Sequence, residues 1–238
     1  MTRRRWIADR VSGNRAFLTG AHAAHLTRVL RARIGQEFDI AADNRIRRGR
    51  ITSIDSQQVE LELGEEIPSP SSPRVRLALA IFKFDRMEWA IEKCAELGAS
   101  QIVPVIAHRT EPRLASAAGK RVERWRRIVR QAAEQSRQVQ PPEILAPIKL
   151  EEAAALPGST RILLAEGEKE ITLLAALPSA STDSDVVLAL GPEGGWTDRE
   201  VEIFRAAGWL PASLGNAILR AETAAIAATA IVLSRLAR

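Results

Sequence analysis

The 238-residue sequence contains one cysteine, Cys94, and this excludes an internal disulfide framework. No apolar run is long enough to cross a bilayer, and the most apolar stretch, residues 224–233, is short and rich in alanine. The N-terminus has arginines but neither an apolar core nor a small-residue cleavage site, so we expect no signal peptide. These absences predict a cytoplasmic protein that is not inserted in a membrane.

Histidine is also scarce. His22, His25 and His108 are the only three, and no cysteine pair accompanies them, so we expect no metal site. No serine lies in a G-x-S-x-G elbow. Cys94 lies beside apolar helix positions and is expected in the core, together with Trp89 and Trp125. The sequence therefore gives no support for serine or cysteine nucleophilic chemistry.

Arginine, in contrast, is concentrated near the N-terminus. Residues 1–50 contain twelve arginines and four acidic residues, a net charge of +8, which leaves −3 for the other 188 residues. A basic segment of this kind is typical of attraction to a polyanion, most often nucleic acid. A solvated arginine-rich surface without such a partner is the alternative that charge alone leaves open.

A stretch rich in proline and serine, residues 65–74, indicates a linker. We therefore predict two domains, residues 1–70 and 71–238. The first contains β-like runs at 37–42, 45–54 and 58–63, with a hairpin turn at 42–45. It also contains a predicted basic helix at 20–35, with one face formed by Leu26, Val29, Leu30 and Ile34.

Strands and helices alternate after the linker, which predicts an α/β domain with a mainly parallel sheet. The predicted strands are 75–82, 100–107, 161–167 and 185–191, and the predicted helices are 85–98, 120–136, 197–208 and 222–237. Pro104 suggests that the second strand lies at an edge or has a bulge. Thr197 and Glu200 have the spacing of a capping box.

Two glycine-bearing turns follow apolar segments of this domain, "LGPEGG" at 190–195 and "LGNAILRAET" at 214–223. Parallel sheets bind ligands at the carboxyl ends of their strands, and glycine lets the main chain approach a ligand closely. Neither turn matches the dinucleotide or P-loop pattern, and no lysine follows residue 170, which argues against a nucleoside triphosphate. Two tight turns without a ligand are the alternative.

Five segments carry a resemblance to a known family: "HAAHLTRVLRARIGQEF", "RMEWAIEKCAELGASQIVPVIAHRT", "RWRRIVRQAAEQS", "LALGPEGGWTDREVEIF" and "LGNAILRAETAAIAA". Over nearly its whole length the chain resembles the RsmE-type family of bacterial ribosomal RNA methyltransferases, members of the knotted SPOUT class. The resemblance implies methylation of N3 of one uridine, position 1498, in 16S ribosomal RNA of the small ribosomal subunit. It also implies a PUA-like N-terminal β-barrel domain, a C-terminal trefoil knot, S-adenosylmethionine as the methyl donor, and a homodimer.

The family pattern also assigns residues. The donor-binding positions that match are Leu190, Gly191, Glu193, Gly194, Leu214, Gly215, Ile218 and Leu219. Uracil N3 loses a proton on methylation, so a cation near O2 or O4 would stabilise the developing anion. Arg220 is the candidate because it follows the second turn, and Glu222 could orient it, accept the proton, or cap the last helix.

Contacts with RNA phosphates are expected from arginines in both domains: Arg28, Arg31, Arg33, Arg47, Arg48, Arg50, Arg109 and Arg137. The sequence departs from the family at Ala217, where a basic residue is usual, and at Arg137–Gln138, where glycine then arginine is common. Two alternatives remain: a knotted methyltransferase acting on transfer RNA or 23S ribosomal RNA, and a noncatalytic RNA-binding or ribosome-assembly protein.

Overall fold

A computed structural model describes residues 5–43, 45–55, 57–68, 73–179 and 184–236. Contacts between Cα atoms divide the chain into two units, Met1–Pro70 with Ala133–Gln140, and Ser71–Ala132 with Pro141–Arg238. The middle of the predicted linker and Asn44 of the predicted hairpin turn lie outside the described residues. The assignment of residues 133–140 to the first unit was not predicted from the sequence.

The N-terminal unit contains a six-stranded sheet in the order β1-β4-β5-β6-β3-β2. Its strands are β1 (Arg5–Ile7), β2 (Arg10–Ser12), β3 (Arg15–Thr19), β4 (Glu37–Ala42), β5 (Arg45–Ile54) and β6 (Gln58–Ile67). β1 pairs with β4 in parallel, and the other pairs are antiparallel. β4 and β5 have the predicted bounds. The first three strands were missed because each is too short to display a clear alternation.

The predicted helix over 20–35 is wrong in its second half. Helix α1 (Gly20–Ala24) continues as a π-helical turn, His25–Val29, and then ends. Arg31 has a φ of 51°, and the amide of Ala32 donates to the carbonyl of Leu26 at 3.0 Å, as in helix termini closed by a left-handed residue. Val29 and Ile34 are consequently 65% and 68% exposed, whereas Leu26 is buried.

The C-terminal unit contains a parallel sheet in the order β10-β8-β7-β12-β11-β13, and β9 also pairs with β8. Its strands are β7 (Arg74–Ala80), β8 (Gln101–Ile106), β9 (Glu143–Ile144), β10 (Ile148–Lys149), β11 (Thr160–Leu164), β12 (Asp185–Leu190) and β13 (Leu210–Ala212). Both faces are covered by apolar residues, which explains the apolar runs at 77–80 in β7 and at 186–190 in β12. The predicted fold class, a parallel α/β sheet with a small N-terminal β domain, is confirmed.

In the described part of this unit, α-helices follow or connect the strands: α2 (Phe84–Leu97), α3 (Pro112–Ala118), α4 (Val122–Gln135), α5 (Leu150–Ala154), α6 (Leu173–Ala176), α7 (Asp198–Ala206) and α8 (Ala221–Leu236). The four long predicted helices are present, and α2 ends at Gly98 with a φ of 107°, the left-handed cap that glycine favours. Among the described residues no helix is both long and apolar enough to cross a membrane.

Two sequence expectations about this unit require correction. Pro104 does not lie on an edge strand, because β8 pairs with β7 on one side. On the other side β9 pairs with Gln101 and Ile102, and β10 pairs with Val105 and Ile106, so Pro104 falls between the two partners. Trp125 is fully buried as expected, but Trp89 is 50% exposed because the buried face of α2 lies elsewhere on the helix.

Candidate functional site

The carboxyl ends of three neighbouring strands meet at one cavity. Leu164 at the end of β11 is level with Leu190 of β12 and with Ala212 of β13. The segments that follow these strands, 165–168, 191–196 and 213–219, line a cavity of about 500 Å³. This is the edge at which open parallel sheets bind ligands. All eight residues predicted to bind the donor line this one cavity.

The first glycine turn is held by its own backbone. The amide of Gly195 donates to the carbonyl of Pro192 at 2.8 Å, and Gly195 has a φ of 69°, which a residue with a Cβ rarely adopts. Gly191 is required for a different reason, since a Cβ there would lie 3.3 Å from Nε1 of Trp196. The turn therefore needs glycine both for its conformation and for its packing.

Trp196 fixes the far end of this turn. Its Nε1 donates to the carbonyl of Leu164 at 3.1 Å, and its ring packs edge-on against Phe204 with the centroids 5.2 Å apart. The indole thus joins β11 to the turn and to α7. These contacts show that Trp196 packs within the domain, and its ring also borders the cavity.

The predicted capping box is confirmed and extends beyond α7. Oε2 of Glu200 accepts from the amide of Thr197 at 2.7 Å, and Thr197 Oγ1 accepts from the amide of Glu200. The other carboxylate oxygen of the buried Glu200 accepts from the amide of His108 at 2.7 Å. One carboxylate therefore connects the start of α7 to the loop that follows β8.

The second glycine turn is anchored at Ser213. Its amide donates to the carbonyl of Ile171 at 2.9 Å, and its carbonyl accepts from the amide of Leu173 at 2.8 Å. Beyond it Gly215 has a φ of 108°, and among the described residues other than its chain neighbours no atom lies within 4 Å of the position that a Cβ would occupy. Ile218 is 84% exposed at the rim. The hydrogen bonds at Ser213 fix where the turn begins, and the bend at Gly215 directs its main chain along the wall of the cavity.

Sequence reasoning did not assign the third wall, residues 165–168, to the site. The carboxylate of Glu168 accepts from the amides of Glu170 and Ile171, and these bonds lower its pKa. The cavity lining is acidic overall: Glu166, Glu168, Glu193, Asp198 and Glu202 lie there with Arg109 and Arg205. The apolar strand ending in "LLAEG" was visible in the sequence, but only its pairing with β12 places its end at the cavity.

The two catalytic candidates lie in different environments. Arg220 is exposed, directly before α8. Glu222 is 2% exposed, and its Oε1 lies 3.6 Å from Nη1 of Arg86. The same Nη1 lies 3.7 Å from Oε1 of Glu193 in the first glycine turn. Arg86, which sequence reasoning missed, therefore bridges the turn and the start of α8, and the contact found for Glu222 is with Arg86.

The structure separates the predicted RNA-binding arginines by their contacts. Arg28, Arg31, Arg33, Arg50 and Arg137 are exposed. Arg47 donates to the carbonyls of Gly64 and Leu63 and to the side chain of Asn14, and Arg48 lies between Glu37 and Asp39 at 3.7 and 3.8 Å. Arg109 lines the cavity and donates to the carbonyl of Gly194.

A cluster of charged side chains also lies within the N-terminal unit. His22 Nδ1 is 2.9 Å from Oδ2 of Asp9, and its Nε2 is 2.8 Å from Oε1 of Glu134. Hydrogen bonds to the two carboxylates raise the pKa of His22 to about 9. Its ring also meets Trp6 edge-on. The protonated ring of His22 in α1 therefore pairs with both Asp9 and Glu134. These contacts give the cluster a role in stabilising the N-terminal unit.

Two family models match the chain. The model described as an RNA methyltransferase domain matches residues 69–233, and the one described as an RNA methyltransferase PUA domain matches residues 18–64. The first match covers most of the C-terminal unit, and the second covers β4, β5 and most of β6 in the N-terminal unit.

Individual proteins are also similar. Ribosomal RNA small subunit methyltransferase E from Synechocystis is 35% identical over 90% of this chain and 71% of its own length. The crystal structure of the enzyme of the same name from Neisseria gonorrhoeae, bound to S-adenosylmethionine, has a TM-score of 0.83 and 28% identity, covering 99% of this chain and 98% of that one. A Legionella pneumophila methyltransferase in complex with S-adenosylmethionine has a TM-score of 0.82 and 29% identity, covering 98% of both chains.

Proposed function

This chain belongs to the ribosomal RNA small subunit methyltransferase E family, and we propose that it transfers a methyl group from S-adenosylmethionine to N3 of uridine 1498 in 16S ribosomal RNA. The main structural support for this proposal comes from the cavity. Eight donor-binding positions, taken from two separate chain segments by family pattern, line one cavity at the carboxyl ends of adjacent parallel strands.

The cavity suits this donor in size and charge. Its volume of about 500 Å³ lies in the range of small-molecule sites. Five carboxylates against two guanidinium groups favour a cationic ligand over a polyphosphate. The space beside Gly215 leaves main chain accessible for a close contact. When bound, S-adenosylmethionine supplies an activated methyl group on a sulfonium.

The protein's own contribution is position and charge. The two glycine turns would hold the donor, with the first stabilised by Trp196 and the second by its bonds to residues 171–173. We propose that Arg220, exposed beside the second turn, stabilises negative charge on the uracil as N3 loses its proton. Glu222 is proposed to act through Arg86, whose position between Glu222 and Glu193 connects the donor turn to α8.

The RNA is proposed to bind through the exposed arginines of the N-terminal unit, Arg28, Arg31, Arg33 and Arg50. Because Arg47 and Arg48 already bind other groups of the protein, we propose that they stabilise this surface and do not contact RNA phosphates directly. We further propose a homodimer and a cytoplasmic location, where ribosomal RNA is found. The trefoil knot expected from the resemblance would thread the two glycine turns together.

The deciding experiment maps the modified base. Small subunits and naked 16S ribosomal RNA that lack the modification are incubated with the protein and S-adenosylmethionine, and the methylated nucleotide is identified by mass spectrometry. Methyl on N3 of uridine 1498 supports the proposal. Methyl on transfer RNA or 23S ribosomal RNA alone would support the alternative target. Donor binding absent from calorimetric titration would support the noncatalytic alternative.

A further inference from the structure

The loop between β8 and α3, residues 107–111, contacts the first glycine turn through Arg109. In this loop Arg109 lines the cavity, and its Nη1 donates to the carbonyl of Gly194 and reaches the carbonyl of Trp196 at 3.5 Å. A single guanidinium therefore touches main chain on both sides of Gly195. This residue was expected to bind RNA phosphate, but its charge is directed at the turn.

The base from which Arg109 extends is itself fixed. Thr110 is buried, its Oγ1 donates to the carbonyl of Ile81 at 3.1 Å, and it accepts from the amide of Ala107 at 3.2 Å. On the other side of Arg109, the amide of His108 donates to the buried Glu200. Because both neighbours are tied to the sheet and to α7, the arginine stem starts from a defined position.

The turn and the arginine also fit each other sterically. A Cβ on Gly194 would lie 3.2 Å from Cδ of Arg109, closer than an ordinary van der Waals contact. Gly194 is not among the glycines with positive φ, whereas Gly195 is. Glycine at 195 is therefore needed for its backbone conformation, and glycine at 194 for the space that the Arg109 stem occupies.

These contacts have a consequence for the donor. Charge-assisted hydrogen bonds are stronger than neutral ones and orient the carbonyls that accept them. A small-molecule site that relies on main chain loses affinity when that main chain moves. Resting on the proposed function, we infer that Arg109 is a positioning residue: it acts through Gly194 to hold the donor turn, and it is not a phosphate contact.

The test compares donor affinity with RNA affinity in the full-length protein. Calorimetry gives the Kd for S-adenosylmethionine, and filter binding gives the Kd for 16S ribosomal RNA, in Arg109→Gln and Arg109→Lys. The control is Arg113→Gln, since Arg113 is exposed and pairs with Glu111. We expect Arg109→Gln to weaken donor binding about tenfold, Arg109→Lys to recover part of it, and the control to match the unsubstituted protein. RNA affinity should stay within about twofold in Arg109→Gln.

Several results would overturn the inference. Weaker RNA binding in Arg109→Gln with unchanged donor binding would make Arg109 a phosphate contact, and loss of both would also contradict a role confined to the turn. If Arg109→Gln does not fold, Arg109→Lys replaces it, because lysine keeps the stem and the charge but loses the guanidinium fork. Weaker donor binding with unchanged RNA affinity in Arg109→Lys would then support the inference, and unchanged donor binding would refute it. Absence of donor binding in the unsubstituted protein would instead refute the proposed function.

Discussion

Trp196 donates a hydrogen bond from Nε1 to the carbonyl of Leu164 at 3.1 Å, so that one indole joins the end of β11 to the glycine turn that follows β12. The two residues are 32 positions apart in the chain, and the contact exists because β11 and β12 are neighbours in the sheet. The same ring lies 3.3 Å from the position that a Cβ on Gly191 would occupy, a tight contact. The turn is therefore stabilised by the Trp196 side chain in addition to its own backbone hydrogen bond.

Replacing Trp196 with phenylalanine should test this support. The aromatic contact with Phe204 can persist, but the hydrogen bond to Leu164 is lost and its carbonyl is left without that donor. We expect a loss of about 1 kcal/mol in the free energy of unfolding and a several-fold weaker Kd for S-adenosylmethionine. Denaturant titration and calorimetry measure the two effects, and an unchanged donor affinity would show that the turn does not depend on the indole.

Gly215→Ala should weaken donor binding through backbone strain. The φ of 108° at Gly215 is disfavoured for alanine, and none of the surrounding residues that the structure describes obstructs the added methyl group, so the expected effect comes from backbone conformation. A cost of about 1–2 kcal/mol is expected, seen as a weaker donor Kd and a lower Tm. Gly119→Ala is the control, because Gly119 has helical φ and open space around it; equal effects in the two variants would contradict this explanation.

Arg220→Ala should separate chemistry from binding. Because Arg220 is exposed and is not among the described residues that line the cavity, we expect its loss to leave the donor Kd within about twofold, while kcat falls about a hundredfold. Single-turnover methylation and calorimetry give the two quantities. Unchanged turnover would remove Arg220 from the mechanism and would direct attention to Arg86, which lies beside both Glu193 and Glu222.

The His22 cluster should make stability dependent on pH. The pKa of His22 is about 9 in the folded protein, above the value of 6.5 for a free histidine. The contribution of protonated His22 to the free energy of unfolding is therefore complete below about pH 6.5 and is lost as the pH rises through 9. The difference in Tm between the unsubstituted protein and His22→Gln should therefore shrink between pH 6.5 and 9.5. The exposed His108 offers a control, His108→Gln. A difference independent of pH would mean that His22 is neutral between its two carboxylates.

RNA affinity should fall steeply with salt if the exposed arginines bind phosphates. Each phosphate contact contributes about 0.7–0.9 to the slope of log K against log salt. Combining Arg28→Gln, Arg31→Gln and Arg33→Gln should reduce the slope by about two to three and weaken binding at low salt. Substitution is preferable to deleting residues 1–70, because residues 133–140 share their unit. A slope unchanged by the three substitutions would locate the RNA elsewhere.

Much of the fold was predictable where local pattern and tertiary environment agree. β4 and β5 have the predicted bounds because strand-favouring residues in them, Phe38, Ile40, Ile46 and Ile51, are also the residues that the sheet buries. The start of α7 was predictable from Thr197 and Glu200, since capping is a local interaction. The helix at 20–35 failed because Arg31 adopts a left-handed conformation that its identity does not signal. Short strands such as β13 failed because three residues carry no measurable period.

The candidate site also contains features that the sequence predicts and features that it does not. The glycine turns were visible in the sequence, because glycine is chosen by backbone requirements that act locally at positions such as 195 and 215. Glu166, Arg86 and the true direction of Arg109 were not visible, because each reaches the site from a distant part of the chain. No local pattern records which strand end lies beside which.

The sequence by itself determined the two-part composition, the alternating α/β order, the basic N-terminal segment and the two glycine turns, all of which follow from local conformational preference and hydrophobic periodicity. Only the tertiary structure decided that β11, β12 and β13 end together, that Trp196 joins the first turn to β11 and Arg109 contacts it, and that Glu222 lies beside Arg86. The reason is physical: strand order and side-chain contacts over long separations are set by the packing of the whole core, and a turn's partners are chosen only when that core has formed.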